Sequence, residues 1–307
     1  MTSELFGHVQ EYPDPDCGAR FDALVGIDPI KDRLVNEATV LLMPDTLDKW
    51  AATHHRGPIP AVDAVRNRVP LVVLAGDVGT GKTELAETVG HPISQRLGID
   101  VTLYPLSLNA RGTGLVGQMT TLITSALAEV RNMAAKARTS QGRLNRAIIL
   151  LVDEADSVAQ SRDLAQMHHE DRAGVNALIQ GVDLFRKEQL PVLTILCTNR
   201  PDAIDPAIAR RAAHIFQFSR PGTEQCRAVL MAAFDGADVS EADIEQVVQL
   251  LSPSQTRAFG ATYSDLRQRF VPDAVMDALG SNAPIRGPRL VELAAVFTPT
   301  RPFGVGA

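Results

Sequence analysis

Short runs of apolar residues, separated by stretches with a helical pattern, dominate the first two thirds of the chain. Continuous apolar runs over residues 69–75, 147–152 and 192–197 predict strands that are buried on both faces of a sheet. A further strand is predicted over 99–106. Over 118–137, apolar residues recur at steps of three and four, which predicts an amphipathic helix. Strands that alternate with helices in this way indicate an α/β domain with a parallel sheet.

The pattern changes in the last third of the chain. There the apolar positions have helical spacing only, over 224–234, 240–251, 272–279 and 288–297. Strand and helix repeats that are followed by helices alone predict an α/β fold, a doubly wound parallel-sheet domain with a small C-terminal helical lid.

We therefore expect four parts along the chain. Residues 1–20 are polar with two prolines and predict a short N-terminal arm. The large α/β domain is expected over 21–220, the helical lid over 221–297 and a flexible tail over 298–307. Within the large domain, residues 53–68 are rich in His, Gly and Pro and predict a surface loop before the first strand.

Composition and charge narrow the class of protein. The chain has 307 residues, 45% of them hydrophobic, which is enough for one large domain and a smaller one. No apolar stretch is long enough to span a bilayer and the N-terminus lacks the regions of a secretion signal, so a cytoplasmic protein without membrane contact is expected. Cys17, Cys197 and Cys226 lack metal-ligand spacing and are expected to be reduced thiols. The net charge of -6 and the dispersed Lys and Arg argue against nucleic acid as a partner.

The first candidate functional residues follow directly after the first apolar run. Residues 76–83, Gly-Asp-Val-Gly-Thr-Gly-Lys-Thr, fit the phosphate-binding pattern G-x-x-x-x-G-K-[ST] between a strand and a helix. The glycines let backbone N–H groups turn towards phosphates, Lys82 can reach the β and γ phosphates, and the Thr83 hydroxyl suits Mg²⁺. The pattern predicts binding of ATP or a related nucleotide with Mg²⁺. The cofactor-binding residues predicted here are Gly76, Asp77, Val78, Gly79, Thr80, Gly81, Lys82, Thr83 and Glu84.

Two carboxylates follow the third predicted strand. Asp153 and Glu154 end the apolar run 147–152, at the strand edge where ligands bind in open α/β sheets. Asp153 is expected to orient Mg²⁺ through its water shell. Glu154 is expected to polarise the water that attacks the γ-phosphate. This pair turns a prediction of phosphate binding into one of hydrolysis.

Over residues 21–297, the motifs together resemble the AAA+ ATPases. In that superfamily a leading segment, here 21–26 with Val25 and Gly26, lines the adenine pocket. Asn199 ends the strand after the two carboxylates, as the sensor-1 Asn does, and the resemblance implies that it holds the attacking water. Arg289 opens the last predicted helix as sensor 2 does and would reach the γ-phosphate.

The resemblance also implies a ring. Residues 202–211 resemble the region that supplies arginine fingers to a neighbouring subunit, and hexamers are usual in the superfamily. Arg211 is the stronger candidate, because the pattern is closer to a single finger followed by Ala than to the two-arginine form. Arg210 is the second candidate. A homo-hexamer is therefore expected.

A narrower resemblance rests on residues 210–218 and the Pro-Gly turn at 221–222. This segment looks like that of the pachytene-checkpoint AAA+ ATPases, which remodel HORMA-domain proteins. Their bacterial relatives accompany cyclic-nucleotide anti-phage systems. The resemblance implies a HORMA-domain protein as substrate. It also places a pore loop at 112–117, where Leu115 and Val116 would contact that substrate.

Other classes share some of these motifs. The letters Asp-Glu-Ala-Asp at 153–156 also occur in RNA helicases, but a second recA-like domain and a basic groove are missing from the sequence. A chaperone of other specificity, Rubisco-activase-like or clamp-loader-type, fits the nucleotide motifs equally well. So does a nucleotide-gated binding scaffold that seldom turns over. The sequence leaves these alternatives open.

Overall fold

A computed structural model describes residues 5–55, 57–107, 118–157, 169–255 and 257–302. Within these ranges the strands form one sheet with the order β1-β3-β4-β5-β2-β6. The strands are β1 (Gln10–Tyr12), β2 (Leu71–Gly76), β3 (Asp100–Pro105), β4 (Arg146–Val152), β5 (Val192–Thr198) and β6 (His214–Phe218).

The inner strands run parallel, as their continuous apolar runs predict. β3 pairs with β4, β4 with β5 and β5 with β2, all in parallel, whereas β1 is antiparallel to β3. Every residue of β2 and β5 is buried. Val152 lies opposite Leu196, and Ala75 lies opposite Thr198. The carboxyl ends of β2, β4 and β5 therefore meet at one edge of the sheet, which confirms the predicted fold class.

The chain divides into two compact units. The larger unit comprises residues 1–22, 29–75 and 83–217 and holds most of the sheet. No helix in the described part of the chain is long and apolar enough to cross a bilayer. Up to residue 217 the helices are α1 (Pro15–Asp22), α2 (Asp28–Leu42), α3 (Asp45–His55), α4 (Pro60–Arg66), α5 (Lys82–Thr88), α6 (Gly90–Leu97), α7 (Gln118–Ala134), α8 (His169–Lys187) and α9 (Pro206–Ala209).

The smaller unit joins three separate segments, residues 23–28, 76–82 and 218–307. Its apolar core lies among the C-terminal helices. Ser240 and Asp243 form a reciprocal capping box at the start of one of them, as their spacing in the sequence indicates. The linear domain boundaries given above stay predictions. The helices here are α10 (Thr223–Ala233), α11 (Glu241–Leu251), α12 (Val271–Gly280) and α13 (Gly287–Val296), with a π-helical turn at Asp265–Phe270.

Two segments before the first inner strand are more ordered than the sequence predicts. The arm contributes β1 and α1, and Tyr12 is only 2% exposed, with its hydroxyl donating to the carbonyl of Glu87. The prediction of a surface loop over 53–68 is wrong, because α3 extends into this stretch and α4 lies within it. Pro60 is tolerated there because it stands in the first turn, where no backbone donor is required. Val62 then anchors the helix in the core.

Candidate nucleotide site

The phosphate loop connects β2 to α5 and depends on glycine. Gly76, Gly79 and Gly81 have φ values of 153°, 72° and 95°, a region that residues with a side chain rarely adopt. A methyl group on Gly76 would also overlap the carbonyl of Phe218. This backbone explains why the sequence pattern requires glycine at 76 and 81, and Gly79 adds a third such position; phosphate binding by the loop stays a prediction.

Lys82 is held against this loop. The side chain is 5% exposed, and Nζ donates to the carbonyl oxygens of Gly76 at 3.0 Å and Asp77 at 2.7 Å. Thr80 donates from its hydroxyl to the carbonyl of Asp77 at 2.7 Å. The loop is thus fixed by its own side chains. The predicted role of the Lys82 ammonium group, to bind phosphates, stays a prediction.

Arg220 is a residue of this site that the sequence analysis missed. Its guanidinium group forms an ion pair with Asp77, with Nε and one terminal nitrogen at 2.8 Å and 2.7 Å from Oδ2. The other terminal nitrogen donates to the carbonyl of Gly260 at 2.6 Å. The sequence signal was an arginine two residues after the last strand, next to the Pro-Gly turn at 221–222. Arg220 therefore ties the phosphate loop to the C-terminal segment of the same unit.

The predicted adenine-lining segment belongs to this unit as well. Gly26 has a φ of 83°, and a methyl group there would overlap the side chains of Gln225 and Tyr263. Val25 packs against the apolar core of the C-terminal helices. Arg267 donates to the carbonyl of Ala23. The structure thus brings the leading segment into contact with helical-lid residues, and its role in adenine binding stays a prediction.

The two carboxylates lie where the sequence places them, directly after β4. Asp153 is half-buried and its Oδ1 accepts the backbone N–H of Glu154 at 2.9 Å. Glu154 is exposed and has a φ of 49°, a left-handed conformation that is uncommon for a residue with a side chain. Such backbone strain is frequent at functional sites.

Asp156 is a second residue whose part in the site was missed. Its carboxylate accepts a hydrogen bond from the hydroxyl of Thr198 and one from the backbone N–H of Asn199 at 3.3 Å. These bonds fix the end of β5, from which the half-exposed Asn199 side chain projects. The sequence signal was the last letter of Asp-Glu-Ala-Asp, which was considered only as a helicase motif.

The three candidate arginines differ in their surroundings. Arg211 donates to Asp183 at 3.1 Å and to the carbonyl of Ala207 at 3.2 Å. Arg210 is exposed, and no ion pair to it occurs within the described residues. Arg289 differs from both, because its partners lie on helices of the smaller unit.

Arg289 is clamped by two carboxylates. It forms two bonds to Asp277, at 2.9 Å and 2.7 Å, and one to Glu292 at 2.6 Å. The hydrogen bonds to Asp277 raise the pKa of Arg289 further, and they hold the pKa of Asp277 below its usual range. A sensor role for Arg289 would require exchange of these partners for a phosphate. The predicted pore-loop residues Leu115 and Val116 lie outside the described residues.

Comparisons with known proteins agree with this arrangement. Residues 72–220 match the family described as "ATPase family associated with various cellular activities (AAA)". CD-NTase-associated protein 6 of Escherichia coli strain MS 115-1 is 44% identical over 300 residues, which cover 98% of this chain and 96% of the relative. The chain belongs to the AAA ATPase family. Within the family, the CD-NTase-associated protein 6 of E. coli strain KTE188 is 36% identical to this chain over 303 residues, which cover 98% of each protein.

Solved structures of AAA ATPases extend the similarity to three dimensions. A chain of the E. coli MS115-1 HORMA:CdnC:Trip13 complex superimposes with a TM-score of 0.91 at 42% identity, covering 99% of both chains. Trip13 of Rhizobiales gives 0.77 at 40% identity and covers 97% of this chain and 100% of its own. C. elegans PCH-2, at 15% identity and a TM-score of 0.61, shares the fold. The resemblance to this group that the sequence predicts is confirmed.

Proposed function

We propose that this AAA ATPase hydrolyses ATP with Mg²⁺ and uses the energy to change the conformation of a HORMA-domain protein in a cytoplasmic anti-phage system. The observation that carries the proposal is the match, over 99% of both chains, to a chain of a complex that contains HORMA and Trip13 proteins. The geometry of the phosphate loop supports the ATPase part independently.

The proposed chemistry assigns one task to each residue. The loop amides and Lys82 hold the phosphates, as the positive-φ glycines allow. Thr83 and Asp153 are proposed to hold Mg²⁺, which neutralises charge on the phosphates when bound. Glu154 is proposed to accept a proton from the attacking water, and Asn199 to position that water. Asp156 acts by holding the backbone of Asn199.

Assembly into a homo-hexamer is part of the proposal, because an arginine finger acts on the site of a neighbouring copy. Arg211 would first have to leave Asp183. Arg210 is exposed and can reach outward without breaking an ion pair within the described residues. This difference favours testing Arg210 beside Arg211, although the sequence pattern favours Arg211.

The decisive experiment uses the Glu154→Gln variant as a trap. Loaded with ATP, it should bind a HORMA-domain protein from the same genome and fail to release it, whereas the parent chain plus ATP should convert the closed, peptide-bound HORMA protein to its open form. Glu241→Gln, which changes an exposed lid carboxylate, is the matched control and should convert it normally. Binding without any conversion by the parent chain would instead identify a nucleotide-gated scaffold.

A further inference from the structure

A cavity of about 440 Å³ lies at the edge of the sheet opposite Asp153 and Asn199. Its walls include residues one or two positions before four parallel strands, namely Pro70 before β2, Ile99 before β3, Leu144 before β4 and Leu190 before β5. All of the lining residues belong to the larger unit. The cavity is therefore separate from the carboxyl edge of the sheet, where the hydrolytic residues are proposed to act.

The lining of this cavity is strongly basic. Of the described residues that line it, one is acidic, Asp45. The chain as a whole has more Asp and Glu than Lys and Arg, 36 against 30. The cluster is not visible in the sequence, because it draws on four separate segments. Its cationic members are Lys49, Arg66, Arg68, Arg138, Arg143 and Arg186.

Two of these cations form ion pairs with carboxylates outside the lining. Arg66 pairs with Asp48, and Arg68 pairs with Glu37 at 2.6 Å; neither carboxylate lines the cavity. Arg66 also lies 4.0 Å from Asp63, so three carboxylates outside the lining pair with these two cations. Counted with Asp45, they still leave six cations against four carboxylates.

The other four cations have no carboxylate partner within the described ranges. Arg138 donates to the carbonyl of Gly142 at 3.1 Å, and Arg186 donates to the carbonyl of Asn67 at 3.4 Å. Arg143 and Lys49 are exposed. A guanidinium that is bound only to one carbonyl keeps further N–H groups that can bind an anion. Like charges so close together also favour the uptake of an anion that neutralises them.

We propose that this basic cavity binds a small molecule with two or more phosphate groups. Its volume lies within the range of small-molecule sites, roughly 300–1,000 Å³. Guanidinium forks match phosphate oxygens in pairs, which single ammonium groups do not. Met43, Leu97 and Leu190 line the cavity and are half-buried, so they add apolar surface on which a non-charged part of the ligand can pack. The net negative charge of the chain disfavours a long nucleic acid at the same place.

The test is calorimetric titration of the full-length Lys82→Ala chain, in which the phosphate loop is weakened, with inorganic tripolyphosphate and with ATP at ~0.15 M salt. We expect saturable binding. Combining Arg138→Ala, Arg143→Ala and Arg186→Ala in that chain should weaken it about tenfold or more. Arg301→Ala removes an exposed arginine outside the lining and is the control, which should bind as before.

The two probes separate the sources of the phosphate groups. Equal affinity would mean that the phosphate chain alone is recognised, and tighter binding of ATP would mean that the apolar wall holds a nucleoside. The triple variant must keep the far-ultraviolet circular dichroism and thermal transition of its parent, so that lost binding is not lost folding. Absence of saturable binding, or unchanged affinity in the triple variant, would overturn the proposal and leave the arginines as partners of loop carbonyls alone.

Discussion

Glu154 combines an exposed carboxylate with a left-handed backbone, two residues after the end of the buried strand β4. Replacing it with Gln preserves shape and removes the proton acceptor. We expect the Glu154→Gln chain to bind ATP normally and to lose turnover by about 10²-fold or more. In Lys82→Ala we expect nucleotide affinity itself to be lost, because the Lys82 ammonium group is proposed to hold the phosphates. Fluorescent-nucleotide binding and phosphate release measure the two effects, and equal turnover by Glu154→Gln and the parent would contradict the assignment.

Arg220 carries a separate prediction, because it neutralises a carboxylate inside the phosphate loop. In Arg220→Ala, Asp77 would stay negative in a half-buried position and repel the phosphates. We expect the dissociation constant for ATP to rise about tenfold while kcat changes little. The double variant Arg220→Ala/Asp77→Ala should recover much of the affinity, since both charges are gone. If the double variant binds no better than Arg220→Ala, Arg220 acts through its bond to Gly260 and its packing rather than by neutralising Asp77.

At the scale of elements, the segment between α11 and α12 depends on Asp265. This carboxylate is 1% exposed and accepts the backbone N–H groups of Thr262 and Thr300, both at 3.0 Å. Thr300 also donates from its hydroxyl at 2.7 Å, and Arg269 pairs with the carboxylate at 2.7 Å. Asp265 thereby fixes the start of the π-helical turn and the residues that follow α13.

These contacts make a prediction about pH. Burial alone would raise the pKa of Asp265, but the hydrogen bonds from Thr262, Thr300 and Arg269 outweigh it and hold the pKa below its usual value. A depressed carboxylate pKa contributes stability above its unfolded value of about 4, and that contribution is lost as the pH falls through the lowered folded value. Asp265→Asn should lower the free energy of unfolding by roughly 3 kcal/mol at pH 7 and make the fall in stability towards acid pH less steep. Thermal melts from pH 7 to pH 2 measure both effects. An unchanged dependence of stability on pH in the acid range would exclude Asp265 as its source.

The elements that the sequence predicted well are those with a strong apolar period. The inner strands, α7 and the helices of the lid follow from burial on one or both faces, and the capping box at Ser240 follows from local spacing. α1 and α4 were missed because prolines mark both a loop and a permitted first turn, and only tertiary contacts decide between them. Asp156 and Arg220 were missed for a related reason. Their partners, Asn199 and Asp77, are distant in sequence, so no local pattern records the bond.

At the scale of the whole molecule, activity should depend on assembly. Mixing Glu154→Gln copies with copies that carry Arg211→Ala should restore some hydrolysis, at boundaries where an intact finger meets an intact site; the same mixture with Arg210→Ala tests the alternative. The loss in each single variant is expected to reach ~10³-fold for the residue that acts in trans. Steady-state phosphate release across mixing ratios measures the rescue. Full activity of dilute, demonstrably monomeric protein would contradict a trans finger.

The smaller unit is discontinuous, since residues 23–28 and 76–82 join the C-terminal segment in one compact body. Arg267, Arg220 and Ser264 make the joining bonds, to Ala23, Asp77 and Gly79 respectively. Recombination between related genes at a single crossover near residue 218 would therefore separate partners that were selected together. Viable chimeras should inherit all three segments from the same parent, so that sequence changes in the phosphate loop and in the C-terminal helices are passed on as one block.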